Sequence, residues 1–286
     1  MTTVGFVGLG NMGSVLAANL VDTGHDVVTH DVSGPARNPA GATFVDDVAA
    51  LAARAEVVVL SLPDGAVSGR VTDAIVDAPR RRAAQIVDTS TIGVEAARAI
   101  DARMSAAGVA YVDAPVSGGV AGARTRTLSV MYAGTDEACD AVQPVLAGLS
   151  DRRRRVGDRP GMAQALKLAN NFLSATTLAA TSEAVAFGLS VGLDMATMIE
   201  VLDTSSGQSA ATSDKFPNHV LTGRYGAGFT NSLMAKDLRL YLGAVGAEDA
   251  PSTVGQVTGS VWERFAEAEP GADFTRIYPY VAGSSG

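Results

Sequence analysis

Short apolar runs alternate with helix-period stretches over the first 157 residues. Strands are predicted at residues 4–7, 26–31, 43–45, 57–62, 85–88, 109–113, 128–133 and 154–156. Helices are predicted between most of them, at 14–23, 46–53, 67–77, 94–107 and 136–149. Apolar strands separated by crossover helices imply an α/β fold with a Rossmann-type, doubly wound, mostly parallel sheet. The pattern then changes. Residues 161–188 read as one long helix without proline, apolar on nearly all sides, which predicts burial between packed elements. Further helices are predicted at 194–203, 209–221, 232–245 and 253–268, with no strand pattern among them. The expected organisation is an α/β domain over 1–160, a connecting helix over 161–190 and an all-helical domain over 191–286. Residues 283–286 are expected to be a disordered tail.

The first strand runs directly into Gly8-Leu9-Gly10-Asn11-Met12-Gly13, and a helix follows. A glycine pattern of this kind is weak alone, but the strand, turn and helix context makes it specific. Gly8 suits a tight turn, Gly10 a close backbone approach to a pyrophosphate, and Gly13 close packing of helix on strand. The helix N-terminus offers free N–H groups to phosphates. Asp31 ends the second predicted strand and is placed to accept hydrogen bonds from the adenosine ribose hydroxyls. Val32 brings no positive charge to that point, so NAD is expected in preference to NADP. Arg37 is the one nearby cation.

Composition narrows the class. The chain has 286 residues, 47% of them hydrophobic, and a formal net charge of −8. An acidic chain is a poor nucleic-acid binder. The Asp151-Arg152-Arg153-Arg154-Arg155 run therefore reads as a solvated surface patch. One cysteine, Cys139, leaves no intrachain disulfide or thiolate metal cluster, and no metal site is expected. Apolar runs are strand-length, short of the ~20 residues that span a bilayer. With no leader-like N-terminus, a cytoplasmic protein is expected. Nineteen of the 22 basic residues are Arg, leaving only Lys167, Lys215 and Lys236. Arg stays protonated, whereas a desolvated Lys can give up its proton.

Lys167 and Asn171 lie four residues apart on one face of the long predicted helix. Ser117-Gly118-Gly119 follows a predicted strand and offers a hydroxyl and backbone donors. With the glycine turn, Asp113-Ala114-Pro115-Val116-Ser117-Gly118-Gly119, Gly161 through Lys167 to Asn171, and Lys236-Asp237-Leu238, the chain resembles the β-hydroxyacid dehydrogenase family. That family includes 3-hydroxyisobutyrate dehydrogenases and tartronate semialdehyde reductases. The blocks come in the family's order along nearly the whole chain.

The resemblance implies a hydride-transferring oxidoreductase acting on a small 3-hydroxy acid or the matching semialdehyde. Lys167 matches the catalytic lysine, and Asn171 the residue that helps hold substrate beside it. Ser117, Gly118 and Gly119 match the loop that binds the substrate carboxylate. Gly8, Leu9, Gly10, Asn11, Met12, Gly13, Asp31, Leu62, Pro63 and Thr91 fall at cofactor-contacting positions, and Lys236 at a lysine near the nicotinamide. A homodimer or homotetramer is expected. As a base, Lys167 must be neutral, and free lysine titrates near ~10.4, so such a site has to favour the amine by burial or nearby positive charge.

Three other classes are weighed against this one. A 6-phosphogluconate dehydrogenase-like enzyme would carry an acid where this chain has Ser174. Imine reductases generally replace the lysine at position 167. A non-enzymatic dinucleotide-binding regulator would be marked by loss of that lysine. Departures from the family pattern are Ala163 and Arg126 where glycines are usual, a loop before Lys167 one residue longer, and Arg239 where a small residue is common. Arg126 is strained if its backbone requires positive φ.

Overall fold

The computed structural model describes residues 2–283. Of the tail expected to be disordered, residues 284–286 lie outside the described residues. The chain packs as two compact units, Met1–Lys167 and Leu168–Gly286. The division falls inside the long helix, not at either of the expected edges.

The first unit opens with β1 (Thr3–Val7), α1 (Gly13–Asp22), β2 (Asp26–His30), β3 (Thr43–Phe44), α2 (Val48–Ala52) and β4 (Val57–Leu60). It continues through α3 (Gly65–Val76), β5 (Gln85–Asp88), α4 (Val94–Ala106) and β6 (Ala110–Asp113). Then come β7 (Val116–Ser117), α5 (Gly119–Arg124), β8 (Ser129–Ala133), α6 (Asp136–Ala141), α7 (Gln143–Leu149) and β9 (Arg152–Gly157). The strand order is β3-β2-β1-β4-β5-β6-β8-β7, with β9 paired to β8. From β3 through β6 every neighbour is parallel, which is the 3-2-1-4-5-6 dinucleotide-binding order. β8 enters antiparallel to β6 and β7.

Two apolar clusters sandwich the sheet. Leu16, Leu20, Val59, Val112 and Leu146 lie on one face; Leu51, Leu60, Ile75, Ile86 and Ile100 lie on the other. Strands buried on both faces explain why the sequence shows continuous apolar runs there.

Several details depart from the sequence pattern. The helix expected over 136–149 breaks at Val142, and α7 begins afresh with Pro144 in its first turn. Proline lacks the N–H that a continuous helix would use there. The arginine run is an edge strand, β9, pairing parallel to β8. Its arginines alternate: Arg152 and Arg154 are exposed, Arg153 and Arg155 half-buried. Arg153 donates to the Ser150 carbonyl, and Arg155 to the Gly134 carbonyl while pairing with Asp136. Charge on an edge strand also discourages pairing with another chain.

The long helix is α8 (Met162–Ser190). The expectation of all-round burial fails. Ala175, Leu178 and Val185 are buried, but Leu173 is 59% and Phe187 70% exposed. By length and composition α8 is also long and apolar enough to cross a membrane, which strand-length apolar runs did not suggest. Alanines raise its mean hydropathy without forming a long uninterrupted apolar run.

The second unit adds α9 (Met195–Asp203), a π-helical stretch (Ala211–Val220), α10 (Asn231–Ala247), α11 (Thr253–Ala268) and α12 (Ile277–Val281). Pro217 inside the π-helical stretch removes one backbone donor, in keeping with the wider turn. Phe216, Trp262, Phe265 and Ile277 are fully buried in this unit's core. The Trp262 indole N–H donates to the Ala175 carbonyl at 3.2 Å.

Candidate active site

Burial of β1 and packing of α1 upon it force the geometry of the glycine turn. Gly8 has φ +98°, and a Cβ there would collide with the Ser61 carbonyl at the end of β4. A Cβ on Gly13 would collide with the Gly8 carbonyl. Gly10 faces open space, with no heavy atom within 4 Å of a built Cβ. Two glycines are required by packing and one leaves room, an arrangement that could admit a ligand's phosphates close to the backbone. The turn lies beyond the carboxyl ends of β1 and β4, the point where the strand order reverses and where doubly wound sheets bind ligands.

Asp31 follows β2 beside this turn. Its Oδ2 accepts the Leu9 N–H at 2.6 Å and its Oδ1 the Ser33 N–H at 2.7 Å. Burial raises its pKa, but the donated N–H groups of Ser33 and Leu9 outweigh that and hold the carboxyl below its ordinary range. Arg37 reaches the same loop, donating to Asn11 Oδ1 at 2.7 Å. Val32 is almost fully exposed.

Leu62 and Pro63 follow β4, and Thr91 follows β5. The Leu62 N–H donates to Ser90 Oγ at 2.8 Å, which ties these two strand ends together. Ser117 lies in β7, opposite Ser129, so it is strand and not loop as expected. Gly118 has φ +128° and Gly119 φ +66°, and the turn leads into α5, which the sequence reading missed. Leu128 crowds the Cβ position of Gly118 at 3.1 Å.

Lys167 sits in the second turn of α8 and is 7% exposed. What anchors that part of α8 is Gln164, one turn earlier and fully buried. Its Oε1 accepts the N–H groups of Ile92 and Gly93 at 2.9 and 3.2 Å, and its Nε2 donates to the Ser90 carbonyl at 3.0 Å. Its backbone N–H donates to Asp113 Oδ2 at 2.9 Å. Ser90 thus joins the Leu62 and Thr91 loops to the helix that carries Lys167. A glutamine amid the apolar pattern of this helix was the available signal, and the sequence reading passed over it.

Asp113 and Asp88 end neighbouring strands in register. Both carboxyls are fully buried. Burial pushes Asp113 up to about 7, against hydrogen bonds from the Gln164 and Gly161 backbone and with the nearby Asp88 charge adding to the rise. Burial likewise raises Asp88, although it accepts from Ser90 and from the Tyr111 hydroxyl.

In the second unit, Asn171 is 6% exposed and donates from Nδ2 to Asp237 Oδ2 at 2.6 Å. Lys236 Nζ lies 3.2 Å from Asp237 Oδ1. Asn171 and Lys236, candidates on separate sequence grounds, therefore share the carboxylate of Asp237. Arg239 is exposed. Arg126 has φ +57°, so the chain does place an arginine in the left-handed region. Its guanidinium donates to the Ala147 carbonyl at 2.8 Å. A cavity lined by Thr3, Asp26, Val28, Thr43, Ala53, Arg54 and Arg82 opens at the amino ends of the strands, opposite the ends that carry the glycine turn and Asp31.

Residues 3–157 match the family model described as the NAD-binding domain of 6-phosphogluconate dehydrogenase. Residues 161–281 match the model described as NAD-binding of NADP-dependent 3-hydroxyisobutyrate dehydrogenase. The chain is 35% identical to the 3-hydroxyisobutyrate dehydrogenase of Pseudomonas aeruginosa, covering 99% of each. It is 30% identical to the 2-(hydroxymethyl)glutarate dehydrogenase of Eubacterium barkeri, over 91% of this chain and 88% of that one. The solved 3-hydroxyisobutyrate dehydrogenase of Mycobacterium tuberculosis with L-serine superposes with a TM-score of 0.89 at 32% identity, covering 98% of this chain and 99% of that one. Sequence blocks, sheet order and relatives agree along almost the whole length, and the chain belongs to the β-hydroxyacid dehydrogenase family of NAD(P)-dependent oxidoreductases.

Proposed function

We propose that this enzyme transfers a hydride between NAD and a small 3-hydroxy acid, or the matching semialdehyde, with Lys167 as general acid and base. The observation that carries this is a buried lysine, in a chain with three lysines, on a helix that Gln164 fastens to the loop after β5 and to the last residue of β6. Gly8, Leu9, Gly10, Asn11, Met12 and Gly13 would hold the pyrophosphate, with Asp31 at the ribose and Leu62, Pro63, Thr91 and Lys236 towards the nicotinamide. Bound there, NAD supplies the hydride acceptor.

Lys167 in its neutral form takes the hydroxyl proton at Nζ during oxidation; its ammonium form returns a proton to the carbonyl oxygen in reduction. Ser117, with the N–H groups of Gly118 and Gly119, holds the substrate carboxylate. Asn171, one helical turn beyond Lys167, assists in orienting the reacting oxygen. The carboxylate of Asp31 favours NAD, since a 2′-phosphate would meet like charge. The relatives that carry named activities favour hydroxy-acid chemistry over imine reduction, sugar-acid decarboxylation or a purely regulatory role.

A cytoplasmic enzyme without nucleic-acid or membrane partners fits the acidic charge. A homodimer or homotetramer fits the exposed stripe of Leu173, Ala180 and Phe187 along α8, whose seven-residue spacing keeps them near one face. The deciding experiment is a panel of short 3-hydroxy acids, including 3-hydroxyisobutyrate and L-serine, with NAD and NADP. NAD-linked turnover of at least one is expected. Activity confined to cyclic imines or 6-phosphogluconate would refute the proposal.

A further inference from the structure

Asp237 is a buried carboxylate, 3% exposed, in the second turn of α10. Its Oδ2 accepts the Asn171 Nδ2 hydrogen at 2.6 Å. Its Oδ1 is buried and receives no hydrogen bond, with Lys236 Nζ near it at 3.2 Å but outside hydrogen-bond geometry. A buried carboxylate so incompletely satisfied is expensive, and an apolar side chain would pack there at lower cost. Its chemistry supplies what an apolar residue cannot. A carboxylate only accepts hydrogen bonds, so the Asn171 amide must meet it nitrogen first. The carbonyl Oδ1 is thereby turned to the other side, where Asn170 Nδ2 already donates to it at 3.1 Å. Next to this pair, Phe172 on α8 stacks on Tyr241 of α10, with centroids 4.5 Å apart and planes within 6°. The two contacts pin α8 against rotation at position 171.

We propose that Asp237 is a positioning residue that fixes the orientation of the Asn171 amide, so that Asn171 serves the reaction as a hydrogen-bond acceptor through Oδ1. The inference rests on the functional reading above, which gives Asn171 a place beside Lys167. An acceptor at this position suits a hydroxyl or ammonium hydrogen, the two kinds of donor that acid–base chemistry at Lys167 presents.

The test is a kinetic double-mutant cycle on the full chain with NAD and the best 3-hydroxy acid from the panel. Asp237→Asn removes the acceptor-only partner at constant size. It is expected to lower kcat at least tenfold while changing the KM for NAD less than threefold. In an Asn171→Ala background, Asp237→Asn should change kcat less than twofold further, because its effect passes through the amide. An unchanged kcat in Asp237→Asn, or its full effect in the Asn171→Ala background, overturns the proposal. The side-chain amide resonance of Asn171, assigned by its loss in Asn171→Ala, gives a readout independent of turnover. One of its protons should lie downfield in the wild type and move upfield in Asp237→Asn. If no 3-hydroxy acid is turned over, the functional reading fails, while an amide resonance unmoved by Asp237→Asn would overturn the orientation itself.

Discussion

Gln164 donates its backbone N–H to the Oδ2 of Asp113, and the other oxygen of that carboxyl is buried without a hydrogen-bond partner. One helix start is thus fastened to the end of β6 through a carboxyl that is uncomfortable when charged. The folded pKa is raised, so the folded state binds the proton more tightly than the unfolded chain. Stability from this group is fully present below about pH 4, falls as pH rises towards 7, and is flat above. The span between its ordinary value of 3.8 and about 7 corresponds to at most about 4 kcal/mol. Asp113→Asn keeps one acceptor oxygen and removes the charge. It should flatten the pH dependence of thermal unfolding between pH 4 and 7 and leave the protein at least as stable as wild type at pH 8. A variant with the same pH dependence as wild type would place the titration elsewhere.

Arg126 occupies the left-handed region at φ +57°, where a Cβ costs about 1–2 kcal/mol. Glycine there relieves that strain but loses the hydrogen bond to the Ala147 carbonyl and the largely exposed pairing with Asp151. The expected result for Arg126→Gly is a stability within about 1 kcal/mol of wild type. Arg126→Val should cost about 2 kcal/mol or more, since a β-branched residue tolerates this conformation poorly. Denaturant melts of the two variants decide the matter; equal losses would show that the side chain, not the backbone, governs this turn.

The sheet was legible because its strands are buried on both faces and punctuated by crossover helices, and Gly8 and Gly13 could be assigned because packing forbids a side chain there. What escaped was set by tertiary contacts. The arginines of β9 look like a solvated run until their alternation against β8 is known. Pro144 sits at a helix start, which periodicity alone does not distinguish from a helix interior. Gln164 and Asp237 are buried polar residues on long helices; only their partners, far along the chain, reveal that Gln164 anchors the start of α8 and that Asp237 meets Asn171. The exposed side of α8 is as apolar as the buried one, so its sequence could not say which side faces the core.

The proposed preference for NAD turns on Asp31, whose two oxygens accept the Leu9 and Ser33 N–H groups and whose carboxyl is held below its ordinary range. NAD should give the higher kcat/KM by at least tenfold. Asp31→Ala combined with Val32→Arg should shift the ratio towards NADP. Arg37, directed at Asn11, is the cation most able to offset Asp31. Equal kcat/KM for both cofactors in the wild type would show that it does.

Under the proposed function, Ser117→Ala removes one of the hydrogen bonds that would hold the substrate carboxylate. Bonds to charged groups are worth about 1.5–3 kcal/mol, so the KM for the hydroxy acid should rise about tenfold or more with kcat less affected. Steady-state kinetics with the acid and with its semialdehyde check this, and an unchanged KM for both would take Ser117 out of the substrate site.

Lys167 is the group on which the proposed chemistry depends. Lys167→Ala should lower kcat by about 10²–10⁴-fold, the usual contribution of a general acid or base, while NADH binding followed by fluorescence stays near wild type. Lys167→Arg should fail equally, because a guanidinium does not release its proton at the pH of the assay. Measuring kcat for these two variants beside their NADH affinity is the most direct test. Loss of turnover with cofactor binding intact is the predicted result; retention of more than a third of wild-type kcat in either variant would contradict it.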